Sequence, residues 1–313
     1  MKTMKVMEAL REAMCIRMRE DQDVLLMGED VGRFGGCFGV SAGMFDEFGP
    51  ERVRDTPISE GAIIGAAIGS AAAGLRPIAE IMFSDFLTVA MDQLVNNAAF
   101  MHYMFGGKIE LPMVVRTVNG AGAQGAAQHS KSMEAWVTHI PGLKVVFPSI
   151  PQDCLGLMLA SIDDDNPVIF FEHKMAYRRT GEVASLDPIP LGTGDIKREG
   201  SDVTIVAYGN QLFVAMDAAE ELAKGGISAE VLDPRTLYPL DKELIATSVA
   251  KTGNVIVTSE EFKRGSYAGE ISAFISEELF DSLDSPVRRV CALDTPVPFA
   301  PILEQAFLPK AED

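Results

Sequence analysis

The sequence contains few cysteines, and their spacing suggests neither a metal site nor a redox site. Its 313 residues include four, Cys15, Cys37, Cys154 and Cys291, and no C-x-x-C pair occurs. Scattered cysteines of this kind give neither zinc-ligand spacing nor a thioredoxin-like motif. We therefore expect reduced thiols and a cytoplasmic location.

Positive charge is also scarce. The chain has 27 Lys and Arg residues against 45 Asp and Glu residues, which gives a formal net charge of −18. A nucleic-acid surface needs clustered Lys and Arg, and an anionic membrane attracts basic rather than acidic segments. The composition therefore predicts that the protein binds neither nucleic acid nor a membrane.

Long apolar runs are missing as well. The longest uncharged apolar stretch, Gly61–Leu75, consists mainly of Ala and Gly and is shorter than the roughly 20 residues of a membrane-spanning helix. Acidic residues appear early, within Met4–Glu12, where a secretory signal would have a continuous apolar region. We expect a soluble chain without a signal peptide.

Helical and strand patterns alternate along the whole chain, which is typical of α/β proteins with mainly parallel sheets. A length of 313 residues favours two domains. We predict a first α/β domain over residues 1–185, a linker over 186–200 and a second α/β domain over 201–313. The segment 181–200 is loop-like because it is rich in Pro, Gly and mixed charges.

Two further segments carry definite expectations about local structure. Residues 87–101 have a helical pattern and follow a predicted strand, residues 77–82. Residues 295–301 hold three prolines among seven residues and are interpreted as a Pro-rich tail.

An acidic residue opens an otherwise small and apolar helix. Ser59 and Glu60 precede a run of Gly, Ala and Ile that continues to about Ala73, and Gly74 is expected to end the helix. On spacing alone, Ser59 is interpreted as a helix N-cap and Glu60 as a first-turn acid that suits the helix dipole. The alternative is that Glu60 has a functional target in a closely packed place.

The segment Gly120–Gly125 matches G-x-G-x-x-G after a predicted strand, a pattern found in dinucleotide sites. Its context differs from such a site. No clear apolar helix follows, and the next strand, 143–147, ends without an acid for a ribose hydroxyl. A loop that presents His129 and Ser130 fits the pattern better, and an NAD-dependent oxidoreductase stays open as an alternative.

Single polar or aromatic residues follow several predicted strands. Histidine transfers protons near neutral pH, so His129 is either functional or simply solvated. Glu29 follows the buried strand 24–27, and Phe83 and Phe86 follow the strand 77–82. Phe83 is expected in the core, whereas Phe86 is either core or a flat face for an aromatic ligand. No G-x-S-x-G, zinc-ligand or G-x-x-x-x-G-K-[ST] motif occurs.

Taken together, these segments resemble the beta subunit of the thiamine-diphosphate-dependent dehydrogenase component of 2-oxo acid and acetoin dehydrogenase complexes, a transketolase-like family. The resemblance covers essentially the whole chain and implies a pyrimidine-binding domain followed by a transketolase C-terminal domain. The motifs that carry it are Gly28–Val31, Asp55–Glu60, Ala73–Ile78, Ala127–Ser130, Pro141–Val146, Gly200–Ala207 and Leu232–Thr236.

The resemblance implies a role for each matching residue. Glu60 matches the glutamate that hydrogen-bonds N1′ of the cofactor's aminopyrimidine and activates the cofactor. Phe86 matches the aromatic residue against the pyrimidine face. His129 matches a histidine that handles protons near the reacting carbons or meets the lipoyl group. Glu29 matches an acid that couples protonation between paired sites.

The resemblance also shows what the chain lacks. The family grips the diphosphate and Mg²⁺ with a G-D-G…N segment, whereas here Gly194-Asp195 continues as Ile196-Lys197. This chain is therefore expected to hold no metal ligands for Mg²⁺ and only the pyrimidine half of the site. An alpha subunit in an α2β2 heterotetramer and a dihydrolipoyl acyltransferase core are the expected partners. The loop at 165–167 resembles one that binds K⁺ in some relatives.

The resemblance also implies a particular substrate. The segments Tyr103–Lys108, Glu172–Lys174 and Thr295–Phe299 resemble acetoin dehydrogenase beta subunits most, so cleavage of acetoin and acyl transfer to lipoamide are predicted. The alternatives are a pyruvate or branched-chain 2-oxo acid dehydrogenase beta subunit and, outside that class, the NAD-dependent oxidoreductase or a non-catalytic scaffold.

Overall fold

The computed structural model describes all 313 residues. The strands are β1 (Lys2–Lys5), β2 (Val24–Gly28), β3 (Val53–Asp55), β4 (Arg76–Ile81), β5 (Val114–Asn119), β6 (Lys144–Val146), β7 (Val168–His173), β8 (Thr180–Val183), β9 (Asp195–Arg198), β10 (Val203–Ala207), β11 (Ala229–Asp233), β12 (Thr236–Tyr238), β13 (Val255–Phe262) and β14 (Arg288–Ala292). The α-helices are α1 (Val6–Glu20), α2 (Met44–Phe48), α3 (Glu60–Ala72), α4 (Met101–Met104), α5 (Glu134–Thr138), α6 (Pro151–Asp163), α7 (Gln211–Lys224), α8 (Lys242–Thr252), α9 (Tyr267–Glu278) and α10 (Pro301–Phe307). No helix is long and apolar enough to cross a membrane.

Internal contacts divide the chain into two compact units. The first contains Met1–Asn119 and Trp136–Leu191, and the second contains Gly120–Ala135 and Gly192–Asp313. The loop at 120–135 therefore packs with the C-terminal part of the chain. The domain bounds given above stay a prediction.

The first unit is built on a parallel sheet. Six of its strands pair side by side in the order β6-β7-β5-β4-β2-β3, and every pair is parallel. Strands β2, β5 and β7 are buried along their whole length, as expected when helices cover both faces of a sheet. The carboxyl ends of these strands share one edge, which is where ligands bind in open α/β sheets.

The second unit also contains a mainly parallel sheet. Its five strands run in the order β14-β13-β10-β11-β9, and only the β11–β9 pair is antiparallel. The prediction of two α/β parts with mainly parallel sheets is confirmed.

The segment predicted to be helical over 87–101 does not form one regular α-helix. A 3₁₀-helix over Ser84–Thr88, a π-helix over Gln93–Ala98 and the short α4 stand there instead. Amide side chains compete with the helical backbone in this region, since Asn97 Nδ2 lies 3.4 Å from the carbonyl oxygen of Asp92.

The Pro-rich segment 295–301 has no helix or strand before Pro301, where α10 starts because proline suits the first turn of a helix. The expectation of an irregular segment over 181–200 is wrong. The loop-like segment 181–200 contains strand β9 and most of β8. Proline and glycine content alone therefore missed short elements that are fixed by pairing and packing.

Candidate functional site

Glu60 is the first residue of α3 and is buried there, with 8% of its surface exposed. Ser59 stands at the N-cap position, but its side chain makes no capping hydrogen bond, so that part of the capping interpretation is wrong. A carboxylate in the first turn suits the positive end of the helix dipole. Burial of the Glu60 carboxylate costs free energy unless a partner forms a hydrogen bond with it.

Glu29 lies beside Glu60 at the carboxyl edge of the parallel sheet. It directly follows β2 and is also 8% exposed. Burial raises the pKa of Glu29, and the negative charge of Glu60 raises it further, while the backbone N–H of Ser59 opposes the shift. The structure thus brings two buried carboxyl groups together.

A hydroxyl group and an aromatic ring border the same place. Thr56 donates its backbone N–H to the carbonyl of Gly28 at 2.9 Å, whereas its buried hydroxyl has no hydrogen-bond partner. Phe86 is half-buried on the 3₁₀-helix that follows β4 and lies edge-to-face with Phe83, with ring centroids 6.1 Å apart. A side chain at Gly61 would come within 3.7 Å of the carbonyl oxygen of Val89, so the start of α3 runs alongside this turn.

These groups suit a flat heteroaromatic ring with a nitrogen atom. A buried carboxyl group can share a proton with that nitrogen, the free hydroxyl can bond a ring substituent, and an aromatic face can stack. Phe83 is half-buried rather than fully buried. It contacts Phe38 at a centroid distance of 5.5 Å and so packs in an aromatic cluster, but it is not part of the fully buried core that was expected for it.

A buried ion cluster, which the sequence interpretation missed, lies across the neighbouring strands. Arg116 is 1% exposed and bonds both carboxylate oxygens of Glu172, at 2.6 and 2.8 Å, and one of Glu80, at 2.6 Å. Tyr177 donates its hydroxyl to Glu172 at 2.7 Å. The signal in the sequence was a charged residue inside each apolar strand pattern, because such residues are rarely buried unless paired.

Electrostatics link this cluster to Glu29. Burial raises the pKa of Glu80, although the neighbouring Arg116 lowers it. Burial disfavours the charge on Arg116, but Glu172 and Glu80 together raise its pKa. The negative charge of Glu80 adds to the upward pKa shift of Glu29. The cluster therefore forms part of the electrostatic environment of the two carboxyl groups at the sheet edge.

His129 belongs to the second unit, in the loop Gly120–Ala135, and is half-buried. The backbone N–H groups of this loop point at carboxylates of the protein itself. Ala121 donates to Glu260 at 3.2 Å, and Gly122 donates to Glu304 at 2.9 Å. A G-x-G-x-x-G loop binds phosphate through such N–H groups, so their use here argues against a dinucleotide at this loop.

Metal-binding features are few in this chain. No group of three or more His, Cys, Asp or Glu residues is placed to hold a metal ion. Arg76 donates to the carboxylate of Asp165, in the loop at 165–167, at 2.6 Å. It also donates to the carbonyl oxygen of Ile162, near the end of α6, at 3.1 Å. Asp195 of the linker pairs with Lys197 at 2.6 Å.

Two family models match the chain and together span most of it. The model described as the transketolase pyrimidine binding domain matches residues 2–180. The model described as the transketolase C-terminal domain matches residues 192–313.

Curated relatives match over almost the full length. The acetoin:2,6-dichlorophenolindophenol oxidoreductase subunit beta of Bacillus subtilis (strain 168) is 49% identical, over 97% of this chain and 93% of the relative. The 2-oxoisovalerate dehydrogenase subunit beta of the same strain is 46% identical, over 98% and 95%. The pyruvate dehydrogenase E1 component subunit beta of Rickettsia felis is 45% identical, again over 98% and 95%.

Among solved structures, a split-gene transketolase described as an inactive beta4 tetramer has a TM-score of 0.79. Its sequence is 24% identical, and the superposition covers 97% of this chain and 93% of the transketolase chain. At that identity the likeness supports the fold alone.

Proposed function

This chain belongs to the transketolase-like beta subunits of the acetoin and 2-oxo acid dehydrogenases, and we propose that it forms the half-site for the aminopyrimidine ring of thiamine diphosphate. The observation that carries the proposal is the buried carboxyl group of Glu60 at the start of α3, next to the buried Glu29. A ring nitrogen would give Glu60 the partner that its burial calls for. Phe86 and the free hydroxyl of Thr56 supply a stacking face and a further polar contact.

Glu60 would exchange a proton with the pyrimidine nitrogen in a dry place, where a hydrogen bond is stronger than in water. Bound thiamine diphosphate would supply a nucleophilic carbon for a carbonyl group and a thiazolium ring that takes up the electron pair of the bond that breaks. The position of Glu60 at the start of α3 sets the side from which it would approach the ring. The helix dipole stabilises a carboxylate at that position.

Glu29 and His129 would assist in different ways. Because its pKa is raised by burial and then by Glu60, Glu29 holds a proton more readily than an exposed glutamate. It therefore limits the repulsion between the two carboxyl groups and couples their protonation. His129 would handle protons near the reacting carbons or meet the incoming lipoyl group, which its imidazole suits near neutral pH.

The other half of the cofactor site would come from an alpha subunit. This chain has no cluster of ligands placed for a metal ion, and magnesium requires a near-octahedral set of oxygen ligands. We therefore assign Mg²⁺ and the diphosphate to the alpha partner in an α2β2 assembly. The exposed small residues Ala62, Ala66 and Gly69 on α3 would allow that partner to approach closely.

A monovalent cation and the location of the protein form finer parts of the proposal. K⁺ would bind backbone carbonyl oxygens of the loop at 165–167, where Asp165 already accepts the N–H of Leu111 at 3.0 Å and Pro167 that of Lys144 at 2.9 Å. Exchange of K⁺ for choline should then lower the thermal midpoint, and an unchanged midpoint would remove the ion from the proposal.

The four free cysteines fit a reducing compartment, which supports a cytoplasmic location.

We propose acetoin as the substrate in preference to pyruvate or a branched-chain 2-oxo acid. The support is the resemblance of Tyr103–Lys108, Glu172–Lys174 and Thr295–Phe299 to acetoin dehydrogenase beta subunits, together with the 49% identity to one acetoin relative. Cleavage of acetoin would release acetaldehyde. Oxidation of the remaining two-carbon fragment would then reduce a lipoyl disulfide of the acyltransferase core as the acyl group is transferred.

Reconstitution tests this proposal. The chain alone should bind thiamine diphosphate weakly in calorimetry and turn over none of acetoin, pyruvate or 2-oxoisovalerate. Addition of the alpha subunit with Mg²⁺ should restore tight binding and turnover, fastest with acetoin. Tight cofactor binding by the isolated chain would refute the half-site, and NAD binding by the isolated chain would favour the oxidoreductase alternative.

A further inference from the structure

The loop that carries His129 has a strained backbone. Gln124 and Ala126 have φ angles of +57° and +54°, which residues other than glycine rarely adopt. Such a conformation persists only when the surrounding structure enforces it, and strain of this kind concentrates at functional sites. Something outside the loop must therefore hold it in this shape.

The strained residues lie directly against His129. A side-chain carbon at Gly125, between Gln124 and Ala126, would come within 2.8 Å of the His129 carbonyl oxygen and 3.0 Å of its Cβ atom. Only glycine permits this approach. The position of His129 consequently depends on the backbone path of residues 124–126.

One buried carboxylate binds the strained part of the loop. Glu304 is 3% exposed, and its Oε1 atom accepts the N–H of Gly122 at 2.9 Å. Both of its oxygens lie near the N–H of Gln124, at 3.2 and 3.1 Å. Successive N–H groups that converge on an anion form a concave nest, and hydrogen bonds to a charged acceptor are the stronger ones. The protein thus fills this nest with its own side chain.

Helix α10 delivers that carboxylate. Phe307 of the same helix packs in an apolar cluster with Ala121 of the loop and with Ala292 and Val297. Glu304 itself donates its backbone N–H to the carbonyl of Ala300 at 2.9 Å. Its carboxylate is therefore held in place from both the loop side and the helix side.

Two other carboxylates bind the ends of the loop. Glu260 accepts the N–H of Ala121 at 3.2 Å, and Glu261 accepts the N–H of Ala135 at 3.0 Å. Glu304 is thus the carboxylate best placed to hold the positive-φ segment.

We propose that Glu304 is a positioning residue, whose carboxylate fixes the strained backbone at Gly122–Ala126 and thereby sets the place of the His129 imidazole. The inference rests on the role proposed above for His129. It adds a residue far away in the sequence that acts on His129 through the loop and does not touch the substrate.

A double-substitution cycle in the alpha–beta complex tests the proposal. Glu304→Gln should lower kcat on the order of 100-fold with little change in KM, since a shift of about 1 Å in a catalytic group has effects of that size. Glu304→Gln combined with His129→Ala should be no slower than His129→Ala alone, because the two changes affect one function. Glu277→Gln, an exposed carboxylate on α9, is the matched control and should keep full activity.

Amide hydrogen exchange in the isolated chain gives a second readout, independent of the loaded enzyme. The amides of Gly122 and Gln124 should exchange faster in Glu304→Gln than in the wild type or in Glu277→Gln. If Glu304→Gln does not fold, Glu304→Asp keeps the charge with a shorter reach and should show faster exchange at Gly122 and Gln124 and a lower kcat than the wild type.

The possible failures are distinguishable. Full activity of His129→Ala would refute the proposed role of His129, while the exchange result would still decide whether Glu304 holds the loop. Unchanged exchange at Gly122 and Gln124 would overturn the positioning role. Multiplicative losses in the double variant would overturn it as well.

Discussion

The buried carboxyl group of Glu29 lies within electrostatic reach of that of Glu60, at the carboxyl edge of the parallel sheet. Burial raises the pKa of Glu29 most, and the charge of Glu60 raises it further. Both residues are 8% exposed, and two like charges cannot share a buried place without a proton or a partner. This pair is the physical basis for assigning the pyrimidine half-site to the first unit.

Removal of the Glu60 charge should lower the pKa of Glu29. In Glu60→Gln the contribution of burial remains while the repulsion disappears, so the Glu29 titration should move toward that of an ordinary glutamate. NMR titration of the isolated chain with ¹³C-labelled glutamate carboxyl groups measures the shift. Glu51→Gln, at an exposed carboxylate, should leave the Glu29 titration unchanged. The same titration in wild type and Glu60→Gln would contradict the coupling.

Arg116→Met should destabilise the chain strongly. The substitution leaves the buried carboxylates of Glu80 and Glu172 without their cation, a loss of roughly 3–5 kcal/mol in the free energy of unfolding. Arg54→Met is the control, since Arg54 is half-exposed and 3.4 Å from Glu51, and exposed pairs contribute about 0–1 kcal/mol. Urea unfolding followed by circular dichroism measures both. Equal urea midpoints for the two variants would show that the ion cluster does not contribute to the free energy of unfolding.

The stability of the second unit should fall as the pH rises toward neutrality. Burial raises the pKa of Glu261 from 4.5 to about 7, against hydrogen bonds from Tyr267 and Ala135 that lower it. Between these two pH values the folded state binds more protons than the unfolded state, so stability declines with rising pH. The contribution is fully present below pH 4.5 and is lost as the pH passes about 7.

Glu261→Gln should flatten this dependence, because an amide does not titrate. Thermal midpoints measured between about pH 5 and pH 8 test it, as linkage requires a slope wherever proton binding differs. Glu278→Gln, at an exposed position on α9, should retain the slope of the wild type. A slope that survives Glu261→Gln would assign the titration to another group.

Gly69→Leu should prevent assembly with the alpha subunit while the isolated chain stays folded. Nothing lies within 4 Å of a side-chain carbon placed at Gly69, so the isolated chain has room for leucine there. A close subunit contact through the small residues of α3 would not have that room. Sedimentation of the mixed subunits measures assembly, with Ala223→Leu, at an exposed position on α7, as the control. Normal assembly of Gly69→Leu would place the contact elsewhere.

Regular elements were predictable where one local pattern decides the structure. The helix expected from Glu60 to about Ala73 became α3, and the apolar run Val24–Met27 became the buried β2. Glu29, Glu60 and Phe86 were selected from their places after a strand or at a helix start, and parallel pairing brings such places to one edge. Their roles as site residues stay a proposal.

Other features depend on contacts that no local pattern contains. Glu304 binds the N–H of Gly122, 182 residues earlier in the chain. The ion cluster depends on strand register, which sets Glu80 opposite Arg116. The Gly120–Gly125 pattern matches a dinucleotide loop, but no local pattern predicts that the carboxylates of Glu260 and Glu304 accept its N–H groups.

The most direct test of the half-site is Glu60→Gln in the complex with the alpha subunit. We expect the complex to assemble as the wild type does, because an amide of the same size fills the same space. Turnover should fall by about 100-fold or more, the usual effect of losing a proton-transferring group. Assembly with turnover equal to that of the wild type would contradict the claim that Glu60 activates the cofactor.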